Sequence, residues 1–203
     1  MNSAEGIVCA FQKSIEDIEA PARTDNDILN IIGLGLIEAV QALYPGTDEA
    51  FCDILSERYR HHYVENNTIE SHMFDGAESL LQELNERDYL LALATGKARR
   101  GLKRVFEDTG MDKYFHSSRC ADECFSKPHP QMVEELMDQF GCTPDRTLMI
   151  GDTEYDLQMA KNAGAHGLGV SYGVHGLERL QQCEPLDCVH SLEELTRWLR
   201  QNA

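Results

Sequence analysis

After residue 72 this 203-residue chain changes its hydrophobic rhythm, and that change constrains its fold more than any other feature. Short apolar runs at 90–94, 147–150 and 168–170 alternate with amphipathic stretches at 75–87, 99–109, 130–140 and 154–163. The runs are of strand length, and the stretches between them have helical spacing. Strands alternating with helices imply a parallel sheet with helices on its faces. The runs are apolar at nearly every position, as strands covered on both sides require. Residues 192–200 carry Leu192, Leu195, Trp198 and Leu199 at helical spacing and read as a closing helix, with Trp198 a packing residue.

Before residue 72 the pattern is wholly helical. Ile7, Val8, Phe11, Ile15 and Ile18 predict a helix over 3–19, which Pro21 stops. Thr24 or Asp25 can cap a second helix through Leu43, ended by Pro45-Gly46. Gly33 and Gly35 inside it are costly for a helix, so a kink or break is expected there. Thr47, Asp48 and Glu49 open a third helix running to about Tyr63. The chain therefore reads as a helical unit followed by an α/β core from about residue 73.

A formal net charge of -17 argues against nucleic acid and anionic membrane as partners. No run approaches the ~18 apolar residues a membrane span needs. The N-terminus has no basic stretch followed by an apolar one. So acidic a surface also repels a phosphorylated substrate, so any phosphate site must be locally positive or metal-assisted. The seven cysteines include no C-x-x-C, and no histidine pair completes a zinc set with Cys120 and Cys124. They read as free thiols of a reducing, cytoplasmic compartment.

In open parallel sheets, ligands bind beyond the carboxyl ends of the strands. After the run at 90–94 comes Thr95-Gly96-Lys97, and after 147–150 comes Gly151-Asp152-Thr153-Glu154-Tyr155-Asp156. Between them a Pro-rich loop carries Ser126-Lys127-Pro128-His129-Pro130. A hydroxyl at a strand end, followed by glycine and a helix start, offers an O–H and free backbone N–H groups to a phosphate oxygen. A lysine supplies fixed positive charge. Asp152 and Asp156, four apart, are hard oxygen donors that suit magnesium beside a phosphate. Each piece alone has a plainer reading: a strand-to-helix turn, a common loop dipeptide, a helix N-cap with an acidic first turn.

Taken together, in this order, the three pieces resemble the haloacid dehalogenase (HAD) superfamily, and within it the phosphoglycolate-phosphatase-like branch. The likeness runs through 91–97, 127–130 and 151–156, and continues into Met159-Ala160-Lys161-Asn162-Ala163-Gly164-Ala165. Phe74-Asp75-Gly76-Ala77 resembles the return from that family's cap into its core. The resemblance implies a Rossmannoid parallel sheet with helices on both faces and an inserted all-helical cap. Residues 1–8 would lead into the cap, 9–72 would form it, and 73–203 would form the hydrolase core. It implies a Mg2+-dependent phosphatase acting on a small-molecule phosphate monoester through an aspartyl-phosphate. Thr95 and Lys127 would be catalytic, Gly96 and Lys97 would bind substrate, Asp152 would bind the metal, and Asp156 would support it directly or through water.

One departure stands out. The family's first motif, which carries the nucleophilic aspartate at the end of a central strand, has no counterpart here. Asn2-Ser3 would align with its tail, so the natural start is expected roughly fifteen to twenty residues upstream of Met1. Without that strand, a gap is expected between the Thr95 strand and the Asp152 strand, with unpaired backbone groups on two edges. The competing reading is a catalytically inactive relative that binds a phosphorylated ligand or a partner protein. A phosphoacceptor receiver domain ranks below both, because its acidic residues come first and its lysine last. The cap would decide the substrate, which the sequence does not name; Gly33-Leu34-Gly35 is a candidate substrate-facing segment, and Arg99 and Arg100 read as solvated helix charges.

Overall fold

The computed structural model describes residues 2–65 and 73–202. The first stretch is helical. α1 (Ala4–Asp17) and α2 (Asp25–Ile31) are separated by the turn at Glu19 to Pro21. Thr24 caps α2 in a reciprocal capping box with Asp27. The expected break occurs: Gly33 adopts φ +110, a left-handed value that favours glycine, and α3 (Leu36–Leu43) starts a new helix. Asp48 caps α4 (Glu49–Arg60), which continues into a π-turn over His61–Glu65. Phe11, Ile28, Val40 and Leu55 bury themselves in one core shared by these helices. The expected boundary at residue 72 lies outside the described residues.

The second stretch alternates as its apolar runs demand. In chain order it contains α5 (Ala77–Glu86), β1 (Ala92–Thr95), α6 (Arg99–Thr109), β2 (Ser117–Cys120), α7 (Gln131–Phe140), β3 (Leu148–Gly151), α8 (Glu154–Asn162), β4 (His166–Val170), α9 (Leu177–Gln181), β5 (Cys188–Val189) and α10 (Leu192–Asn202). Every ladder among them is parallel. β2 and β5 lie outside the sequence expectation. Ser-Ser-Arg-Cys has no apolar run, and β5 is two residues long, so neither carries a strand signal. Trp198 packs against the core formed by α5, α10 and β4, as expected.

The strands do not make one continuous sheet. β1 pairs with β2, and β3–β4–β5 form a second sheet. Ala94 of β1 and Met149 of β3 both rest on the layer of Met132, Met137 and Met159 from α7 and α8, so the two sheets share a floor. Between β1 and β3 lies a cavity of about 1120 Å³, lined by Leu93 to Thr95 on one side and Met149 to Gly151 on the other. Ile150, in the middle of a strand, is 36% exposed as a result. No helix among the described residues is long and apolar enough to cross a membrane.

Candidate active site

The three sequence motifs converge on this cavity: Thr95, Gly96, Lys97, Lys127, Asp152 and Asp156 all line it. Thr95 ends β1, and its Oγ1 accepts the Lys97 backbone N–H at 3.1 Å, closing a tight turn before α6. A Cβ on Gly96 would lie 2.8 Å from the Gly33 carbonyl oxygen and 2.9 Å from that of Leu34. Only glycine therefore lets the helical unit come this close. The Lys97 ammonium donates to the Tyr63 hydroxyl at 3.0 Å.

Asp152 and Asp156 have different surroundings. Asp152 precedes the helix, and its Oδ2 accepts the Val174 N–H at 3.0 Å. Its other oxygen bonds no other residue among the described ones. Burial, then the nearby Asp156 carboxylate, pushes the Asp152 carboxyl above its ordinary range. Asp156 sits one turn into α8 with both oxygens engaged. Oδ1 accepts the Lys127 ammonium at 2.6 Å, and Oδ2 accepts the Thr153 N–H at 3.1 Å and its hydroxyl at 2.7 Å. Thr153 in turn caps Asp156, completing a buried capping box. The Lys127 and Asp156 side chains are each 6% exposed.

The two aspartates expected at the metal are thus engaged differently. Both Asp156 oxygens are taken up by a lysine and a helix cap. Of the two, Asp152 keeps a carboxylate oxygen that bonds no other residue among the described ones. Mg2+ is commonly held by one or two carboxylates, with water and phosphate oxygens completing its octahedron, so this donor set fits it.

Other charges go beyond the sequence expectation. Arg99, although its side chain is 41% exposed, is engaged as well as solvated: its guanidinium grips Glu123 at 2.6 Å and Ser118 Oγ at 2.6 Å, and its backbone N–H donates to Asp122 at 2.8 Å. Cys120, Asp122 and Glu123 cluster as a metal set would, but the two acids serve Arg99. Burial pushes the Cys120 thiol up to about 11, so it is no ready thiolate ligand. Sequence reasoning missed Tyr63, Asn30 and Arg179. The last two meet across 149 residues of chain, where no local pattern points.

Comparison with known proteins bears on the family and the fold. The family model for Haloacid dehalogenase-like hydrolase matches residues 1–170. The chain is 31% identical over 199 residues to "Probable phosphatase IndB" of Dickeya dadantii, covering 96% of this chain and 86% of that protein. It is 28% identical over 203 residues to "Pyrophosphatase PpaX" of Listeria monocytogenes, covering 98% and 91%. Among solved structures, one described as a predicted phosphatase from Clostridium acetobutylicum superposes with a TM-score of 0.88 at 25% identity, covering 98% of this chain and 92% of that one. On the family match and the first of these relatives, the chain belongs to the haloacid dehalogenase-like hydrolase family.

Proposed function

We propose that the chain forms the cap and most of the core of a Mg2+-dependent phosphatase. Its substrate is a small-molecule phosphate monoester, and its intermediate is an aspartyl-phosphate whose aspartate is not carried by residues 1–203. The observation that supports this best is the meeting of Thr95, Lys127 and Asp152 at one cavity between two strand ends. In this reading the Thr95 hydroxyl and the Gly96 N–H donate to the phosphoryl oxygens, with Lys97 beside them. Lys127 holds positive charge against them and against the incoming carboxylate. Asp152 is the metal ligand and Asp156 its support, acting through Lys127 and the α8 cap. Magnesium, when bound, neutralises charge on the phosphoryl oxygens. The nucleophile must reach the reaction from the cavity between β1 and β3. Asp122 and Asp156 line that cavity but are held by Arg99 and by Lys127 with Thr153, and Asp75 lies in a separate groove. Seven unpaired thiols support a cytoplasmic setting.

With Asp122 and Asp156 so held and Asp152 assigned to the metal, a second reading is favoured, in which the chain binds a phosphorylated ligand without hydrolysing it. Calorimetric Mg2+ titration and p-nitrophenyl phosphate turnover separate the two halves of the proposal. The chain should bind Mg2+, and Asp152→Asn should weaken binding at least about tenfold. Unchanged affinity in that variant sinks the metal assignment. Turnover by residues 1–203 alone should stay at background. Mg2+-dependent hydrolysis by them would show that the nucleophile lies within this chain.

A further inference from the structure

We infer that Arg179 is a positioning residue for the site: it anchors the Ile32–Gly33–Leu34–Gly35 segment of the helical unit over the Thr95–Gly96 turn, through Asn30. The segment is fixed at both ends by core residues. Upstream, Arg179 Nη1 donates to Asn30 Oδ1 at 2.8 Å, and the Tyr155 hydroxyl donates to the Asn30 carbonyl at 2.9 Å. Downstream, the Gly35 N–H donates to Ser126 Oγ at 2.7 Å, next to Lys127. Between these ends, the Gly33 and Leu34 carbonyls lie against Gly96, and a Cβ on Gly33 would meet Thr153 Oγ1 at 3.0 Å. The segment thus touches the end of β1 and the cap of α8 at once.

Arg179 suits this place because one planar group serves two directions. Its Nη2 donates to Glu154 Oε1 at 2.5 Å while Nη1 reaches Asn30. Glu154 is two residues past Asp152, and its N–H donates to His175 Nδ1 at 3.1 Å, in the loop whose Val174 amide holds Asp152. The guanidinium therefore ties the helical unit to the strand end that presents Asp152. Arginine's fork permits both bonds at fixed geometry, whereas a lysine ammonium would have to choose. The ion pair is only partly exposed, with side chains at 28% and 22%, so solvent competes weakly for it.

The inference rests on the proposed function only in calling the turn a phosphate site. Its test is amide hydrogen exchange on the intact chain, which needs no turnover. Arg179→Lys should raise exchange of a peptide covering 30–36 by about tenfold, while a peptide from α7 at 131–140 stays unchanged. Asn30→Asp keeps an acceptor for the guanidinium and should preserve protection at 30–36, whereas Asn30→Leu should lose it. Unchanged exchange at 30–36 in both Arg179→Lys and Asn30→Leu overturns the inference. So does equal loss in Asn30→Asp and Asn30→Leu, or a rise that is as large in α7. If Arg179→Lys unfolds outright, the two Asn30 variants decide the matter alone.

Discussion

β3 reaches the cavity backed by two further strands, a buried ion pair and a capping box. β1 reaches it with one partner strand, and all four of its residues are only partly buried. The strand ends face the same space, yet they are held in place by different means. The Asp152 end is organised by its own neighbourhood: Lys127, Thr153, Asp156 and Val174 all come from the core. The Thr95 end is held on the core side by the Lys97 turn and the end of β2, and on the other by the helical unit, through Tyr63 on Lys97 and two carbonyls against Gly96. The metal side of the site should therefore keep its shape by itself, and the phosphate side should depend on contact with residues 32–35.

The largest effect should come from the buried pair. Asp156→Ala strands a lysine that is 6% exposed and removes two acceptor bonds to Thr153, so about 3–5 kcal/mol should be lost in urea denaturation. Lys127→Met should cost less, because Asp156 keeps its Thr153 bonds. Lys127→Met combined with Asp156→Asn should cost less than the two single changes summed, since no uncompensated charge remains. A loss under about 1 kcal/mol for Asp156→Ala would mean the pair is wet, like a surface salt bridge, and the Asp152 end is not self-supporting.

The contrast also explains what could be read from the sequence. The α8 end was legible because its parts lie within six residues: Gly151-Asp152-Thr153 and Asp156 give strand end, acid and capping box together. The α2–α3 break was legible from Gly33 and Gly35 for the same local reason. What spacing alone could not give was the set of contacts each of the two aspartates makes. Spacing alone makes Asp152 and Asp156 look equivalent, and only the position of Lys127, brought from 29 residues away, divides them. The pairing of β2 with β1 was not legible either. Its hold lies in backbone ladder bonds and in Arg99 and Arg119 contacts, with Cys120 its one fully buried residue. The Asn30–Arg179 contact depends on the completed fold and has no local trace.

A smaller effect tests the dependence of the Thr95 end on the helical unit. Gly96→Ala puts a methyl group against two backbone carbonyls that cannot rotate away, so the 32–35 segment must move. A loss of about 1–3 kcal/mol is expected, read as a fall in Tm. Gly101→Ala, in the first turns of α6, meets only the Lys97 Cβ at 3.8 Å and should be neutral or stabilising by up to about 1 kcal/mol. If both alanines behave alike, the close approach at Gly96 carries no strain and the helical unit does not shape that turn.

The smallest effect discriminates most sharply, because it reads the two halves separately. Cys120 ends β2 directly opposite Thr95, and its side chain is fully buried. With its thiol pushed up to about 11, only about one in a thousand is thiolate at pH 8, so alkylation by iodoacetamide must wait for opening. Cys183 is buried against Leu157 and Leu180 beside the three-stranded sheet, where burial also raises its thiol. In the unaltered chain both should resist alkylation that goes to completion in urea. In Gly96→Ala, peptide mass analysis should find Cys120 modified faster while Cys183 keeps its protection. Two cysteines exposed in step would mean that the sheets open as one unit. The cavity between them would then be a passive seam, and the Thr95 end would have no separate dependence on the helical unit.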